Sequence, residues 1–137
     1  MESGDLNQWF AEYLGAFAAC GRGEAEVDSL LAYYGVPLLI TTDGGFFALT
    51  SEEQVVAGVQ PQIDGMRAAG YARSEVLASD VTIVNATSAL YRGTFAYHGS
   101  DGSETRRVAI TYLITDGAAG AAGAARLRIS VLAVHSP

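Results

Sequence analysis

The stretch from Tyr33 to Glu53 constrains the fold more than any other, because nearly every residue in it marks a change of backbone state. Gly35 can adopt the left-handed angle that closes a helix, and Pro37 shortly after forbids its continuation. An apolar, β-branched run from Val36 to Thr42 follows, then the turn pair Asp43-Gly44, then a second short run from Phe46 to Leu49. Together they describe a β-hairpin. Thr50, with Glu53 completing a capping box, opens a new helix. The order helix, small hairpin, helix is set early in the chain, and the remainder has to wrap around it.

Upstream, Asp5 and Gln8 start a helix whose apolar positions Leu6, Trp9, Phe10, Tyr13, Leu14 and Phe17 share one face, and Gly21 and Gly23 stop it. Val27, Leu30, Leu31 and Tyr34 form the stripe of a second, shorter helix. The third runs from the Thr50 cap to about Ala69, with Val55, Val56, Val59, Ile63 and Met66 inward and a kink expected near Pro61. Gly70 ends it. From Tyr71 the period drops to two, which predicts four strands, Ala72 to Val84, Ala89 to Tyr97, Arg106 to Thr115 and Arg126 to His135. Their connections are too short for crossover helices, so they are expected to pair antiparallel. The Gly-Ala tract from Gly117 to Ala125 joins the last two and lacks the Lys and Ser/Thr of a phosphate-cradling loop.

Alternation sorts these strands into two surfaces. Tyr91, Phe95, Tyr97, Val108, Ile110, Tyr112, Ile114, Leu127, Ile129, Val131, Ala133 and His135 are expected on one, which is strongly apolar and should take the helices. Arg92, Thr94, His98, Arg107, Thr111, Leu113, Arg128, Ser130, Leu132 and Val134 are expected on the other. That mixture of charge with leucine and valine predicts a homodimer contact through the outer sheet face.

Charge narrows the partners. All eight basic residues are arginine, and residues 1 to 70 hold ten carboxylates against Arg22 and Arg67, within a net charge of −7. An acidic surface repels phosphate backbones and anionic lipid, so neither nucleic acid nor membrane is expected as a partner. Cys20 is alone and at the C-terminal end of its helix, where the dipole disfavours a thiolate. The acidic start lacks the order of a secretion signal and no apolar run reaches the length of a membrane span, which predicts a cytoplasmic protein. His98 and His135 lie 37 residues apart without neighbouring ligands, so no metal and no cofactor are expected. At 137 residues a single domain, 1–137, is expected.

The element order, together with Tyr33-Tyr34-Gly35-Val36-Pro37, the helix start at Thr50 to Glu53 and the closing segment Arg128 to His135, resembles the cone fold of the nuclear transport factor 2-like superfamily. Within it the chain resembles the SnoaL-like branch, which includes polyketide cyclases and lies near the ketosteroid isomerases. The resemblance covers essentially the whole chain. It implies an α+β fold in which three N-terminal helices and a short β-hairpin pack on a curved antiparallel sheet, a cone-shaped barrel with a pocket between layers. Residents of such pockets range from catalysts to plain binders.

An isomerase or cyclase of this kind works through a carboxylate or histidine base facing the cavity, with a tyrosine or acid holding the enolate oxygen. The hairpin strand, where isomerases carry a base, offers only Thr41 and Thr42 here, and Asp43 belongs to the turn. The later strands hold no Asp or Glu from Ser88 to His98, Arg106 to Thr115 or Arg126 to His135, which leaves Glu75, Asp80 or His135 as base. By the resemblance, Tyr13 sits where isomerases place an oxyanion-holding tyrosine. The pocket is expected to be lined by Trp9, Tyr13, Tyr34, Tyr91, Tyr112 and His135, and the plain alternative is that these are core residues with satisfied hydroxyls. The leading expectation is a homodimer binding a small hydrophobic molecule. The alternatives are an isomerase, dehydratase or polyketide cyclase with Tyr13 or Tyr112 as oxyanion donor and His135 or Asp80 as base, and a non-catalytic interaction scaffold.

Overall fold

Helix α1, Ser3–Gly21, buries Leu6, Phe10, Tyr13, Phe17 and Cys20, successive residues three or four apart that form one stripe. A computed structural model describes residues 2–117 and 127–136. The chain leaves α1 through Gly23 at φ +77°, a left-handed angle that glycine adopts without strain. The expected second helix is a six-residue 3₁₀ segment, Val27–Ala32, and Tyr34 is not on its stripe. Tyr34 instead begins strand β1, Tyr34–Thr42, which turns at Asp43-Gly44 into β2, Gly45–Leu49. Gly35 is therefore a strand residue, and among the described residues the left-handed glycines are Gly23, Gly70 and Gly102. A side chain at Gly35 would press on the Ile129 carbonyl oxygen, 3.2 Å from an added Cβ.

Helix α2, Glu52–Ala68, starts one residue later than the Thr50 reading requires. Ser51 is the N-cap, its hydroxyl accepting from the Gln54 N–H at 3.1 Å, and the Gln54 carboxamide reaches back to accept from the Thr50 N–H at 2.8 Å. The reciprocal logic of a capping box holds, with Gln54 in the role expected of Glu53. The helix continues through Pro61 and ends where Gly70 takes φ +72°. Arg67 clamps it to α1, donating to the Cys20 carbonyl at 2.9 Å and the Ala25 carbonyl at 3.0 Å.

Strands β3, Tyr71–Asn85, β4, Ser88–Gly99, β5, Glu104–Asp116, and β6, Leu127–His135, fall where alternation placed them. Residues 118–126, most of the Gly-Ala tract, lie outside the described residues. The six strands form one curved, unclosed sheet in the order β2-β1-β6-β5-β4-β3. All neighbours pair antiparallel except β1 and β6, which run parallel. Their ladder breaks between Tyr34 and Leu39, the interval that holds Pro37 and its missing N–H.

One irregularity corrects the facial assignment. Ile114 pairs with Ile129 but Leu113 pairs with Val131, so Ser130 is an extra residue in β6. Such a bulge inverts the inward and outward parity of everything beyond it. Leu132 and Val134, expected outside, stand opposite Tyr112 and Ile110 on the apolar inner face. Val131, Ala133 and His135, expected inside, lie on the outer face. The bulge residue is not wasted, because the Ser130 and Thr115 hydroxyls meet at 2.6 Å.

Candidate ligand-binding site

Between α1 and the concave face the aromatic side chains are in ring contact. Phe10 stacks on Tyr91 with centroids 3.7 Å apart and planes 14° apart, and meets Tyr112 edge-on at 4.8 Å. Trp9 lies parallel to Tyr13 at 6.4 Å and meets Tyr33 at 5.6 Å. Gly93 lets this layer lie close to the sheet, since a Cβ there would fall 2.4 Å from the Phe95 ring. Each such pair contributes about 0.5–1.5 kcal/mol beyond its buried area.

Within this layer the Tyr13 and Tyr34 hydroxyls share a hydrogen bond of 2.7 Å, and the Tyr112 ring meets Tyr13 edge-on at 6.1 Å. Burial pushes the phenols of Tyr13 and Tyr112 well above the ordinary tyrosine value, and the neighbouring tyrosines push in the same direction. Tyr34 is likewise raised by burial. These hydroxyls are held in the neutral form, and those of Tyr13 and Tyr34 are each other's partners.

Open space lies beside this layer, between α2 and the near ends of β3, β4 and β5. A cavity of about 260 Å³ is lined by Pro61, Gln62, Met66, Tyr71, Tyr97 and Arg106, among others. The Tyr71 and Tyr97 rings meet at 87° with centroids 5.7 Å apart, making an aromatic corner. Burial raises the Tyr97 phenol to about 12, against the Arg106 charge and a hydrogen bond from Gln62, both of which favour its anion. The Tyr71 hydroxyl turns aside to Ser74 Oγ at 2.6 Å.

Of the six residues expected at the site, Trp9, Tyr13, Tyr34, Tyr91 and Tyr112 stand in or beside one cluster, and His135 does not join them. The Ser130 bulge turns His135 to the outer face, where it is exposed and its Nε2 lies 3.1 Å from Thr111 Oγ1. The other candidate bases are on that face too. Asp80 stands opposite Arg92, 3.8 Å from its guanidinium, and Glu75 lies 3.0 Å from His98 Nε2. Tyr71, Tyr97, Gln62 and Arg106 were missing from the sequence-derived site. One signal for Arg106 was available: it shares the alternation of Val108, Ile110, Tyr112 and Ile114, which puts an arginine at the rim of an apolar face.

Fold and site together define an α+β cone of the cystatin-like type, with an aromatic layer held in the hollow of its sheet. The chain belongs to the family described as NTF2-like protein (DUF6841), which matches residues 2–136. Its structure is similar to that of an NTF-2 like protein of unknown function from Shewanella oneidensis, with 14% identity, 98% of each chain covered and a TM-score of 0.67. It is also similar to a cystatin-like domain of unknown function from Nostoc punctiforme, with 19% identity, 100% of this chain and 80% of that one covered, and a TM-score of 0.69. A third similar structure is a Catenulispora acidiphila protein in complex with S-DNPA, with 12% identity, coverage of 96% and 90%, and a TM-score of 0.63. At these identities the likeness is one of fold. No curated protein matches the chain.

Proposed function

We propose that the protein binds a small hydrophobic molecule in the cavity between α2 and the sheet, without carrying out acid-base chemistry on it. The observation that carries this reading is the cavity of about 260 Å³ with its Tyr71 and Tyr97 corner and its Met66 and Pro61 walls. A concave, mostly apolar site with a few convergent polar groups is the usual form of a small-molecule site. Binding is favoured over isomerase or cyclase activity because the cluster hydroxyls meet other hydroxyls, while Glu75, Asp80 and His135 stand on the opposite face of the sheet. The Catenulispora protein of the same fold, solved as a complex, lends support by analogy. Kinship with the SnoaL-like branch accords with this reading and still rests on Tyr33 to Pro37, Thr50 to Glu53 and Arg128 to His135.

The binder works as a homodimer through the outer sheet face. Leu39, Val131, Leu113 and Leu90 stand side by side across β1, β6, β5 and β4, a half-buried apolar row that supports this arrangement. Thermal melting against a panel of steroids, polyketides and aromatic acids tests the binding function, and an unchanged melting temperature with all of them refutes it. Light scattering after size exclusion tests the dimer, and a monomer at every concentration removes it.

A further inference from the structure

Arg106 sits where the cavity wall meets solvent. Its register partner across the β4–β5 ladder is Tyr97, an aromatic residue on the same inward face, rather than a carboxylate. The adjacent acid, Glu104, is taken by Arg107 at 2.7 Å on the other face. Arg106 makes no ion pair among the described residues, in a chain with fifteen carboxylates for eight arginines. Its planar fork offers two parallel donors, a geometry that matches a carboxylate and is strongest when both are used. Gln62 on α2 and Tyr97 on β4 line the same cavity. Three polar groups from two layers thus converge beside walls made by Pro61, Met66 and the Tyr71 ring.

Size limits what can lie against those walls. A cavity of roughly 150 Å³ holds one benzene ring. The 260 Å³ here takes a single ring and a short arm. We infer that the ligand class is a monocyclic aromatic acid, its ring against the Tyr71 and Tyr97 corner and its carboxylate held by Arg106. This inference rests on the small-molecule reading above and adds to it the charge and the size of the ligand.

The test compares phenylacetate with phenylacetamide, which has nearly the same shape and no charge, by calorimetric titration of the whole chain. The acid is expected to bind at least about tenfold more tightly, a difference of about 1.4 kcal/mol. In Arg106→Gln that preference falls to within about twofold, with the melting temperature of the free protein unchanged, because the side chain is exposed and its loss disturbs no packing. Gly65→Phe locates the site: a Cβ at this cavity-lining position meets nothing within 4 Å, so the ring can fold across the mouth and weaken both probes. Equal affinity for acid and amide overturns the inference and leaves an apolar binding cavity standing. So does an acid preference that survives Arg106→Gln. Failure of both probes to bind the unaltered protein removes the inference, while the binding reading is decided separately by the melting panel above.

Discussion

Removing one hydroxyl, by Tyr13→Phe, probes the buried pair that Tyr13 forms with Tyr34. Tyr13 is 2% exposed and Tyr34 3%, so neither phenol has water as a substitute partner. Tyr13 bonds to Tyr34 at 2.7 Å, hydroxyl to hydroxyl. Loss of either oxygen strands the other buried hydroxyl. A net hydrogen bond contributes about 1 kcal/mol, and leaving a buried polar group unpaired costs about 1–3 kcal/mol. Tyr13→Phe and Tyr34→Phe should therefore each cost about 1–3 kcal/mol. The double replacement at Tyr13 and Tyr34 should cost less than the sum of the singles, since it leaves no orphan. Urea denaturation followed by far-ultraviolet circular dichroism measures all of these. Strict additivity in the double replacement would refute the pairing of the two hydroxyls.

Alkali should unfold the protein earlier than its charge alone would require. Burial holds the Tyr97 phenol at about 12 against an ordinary 10.0, so the unfolded chain releases this proton first as pH rises. The stabilisation is complete below pH 10 and drains between about 10 and 12, on the order of 2–3 kcal/mol for this residue, with the other buried tyrosines adding in the same direction. Tyrosinate absorbance should rise together with loss of ellipticity; ionisation of all the tyrosines in a still-folded protein would contradict it. Gly93→Ala should cost about 1–3 kcal/mol, because its Cβ would collide with the Phe95 ring, while Gly65→Ala should add about 0.5–1 kcal/mol in a helix with room to spare. Chemical denaturation of the pair with the same sign would show that space around these positions is misjudged. Arg67→Gln should cost about 1–3 kcal/mol by freeing the carbonyls of Cys20 and Ala25, and amide exchange should show the end of α1 fraying first.

What the amino-acid order determined by itself is what short-range physics can decide. The α1 stripe, the Asp43-Gly44 hairpin, the stop at Gly70 and four alternating strands each depend on residues a few positions apart, and each is where local reading puts it. Capping was legible in kind but shifted by a residue, because Thr50 and Ser51 compete for the same role and only packing selects Ser51. The candidate site was half legible for the same reason. Trp9, Tyr13, Tyr91 and Tyr112 follow from periodicity, yet periodicity does not tell a filled core from a lined hollow. Tertiary structure alone decided the rest: the parallel pairing of β1 with β6, the bulge at Ser130 that exchanges Leu132 and Val134 with Val131 and His135, and the meeting of Gln62 with Tyr97 and Arg106 beside a cavity. A bulge is set by the neighbouring strand and by what each face must bury, and a cavity by how far one layer stands off another. Both are sums over residues distant in the chain, which no local window contains.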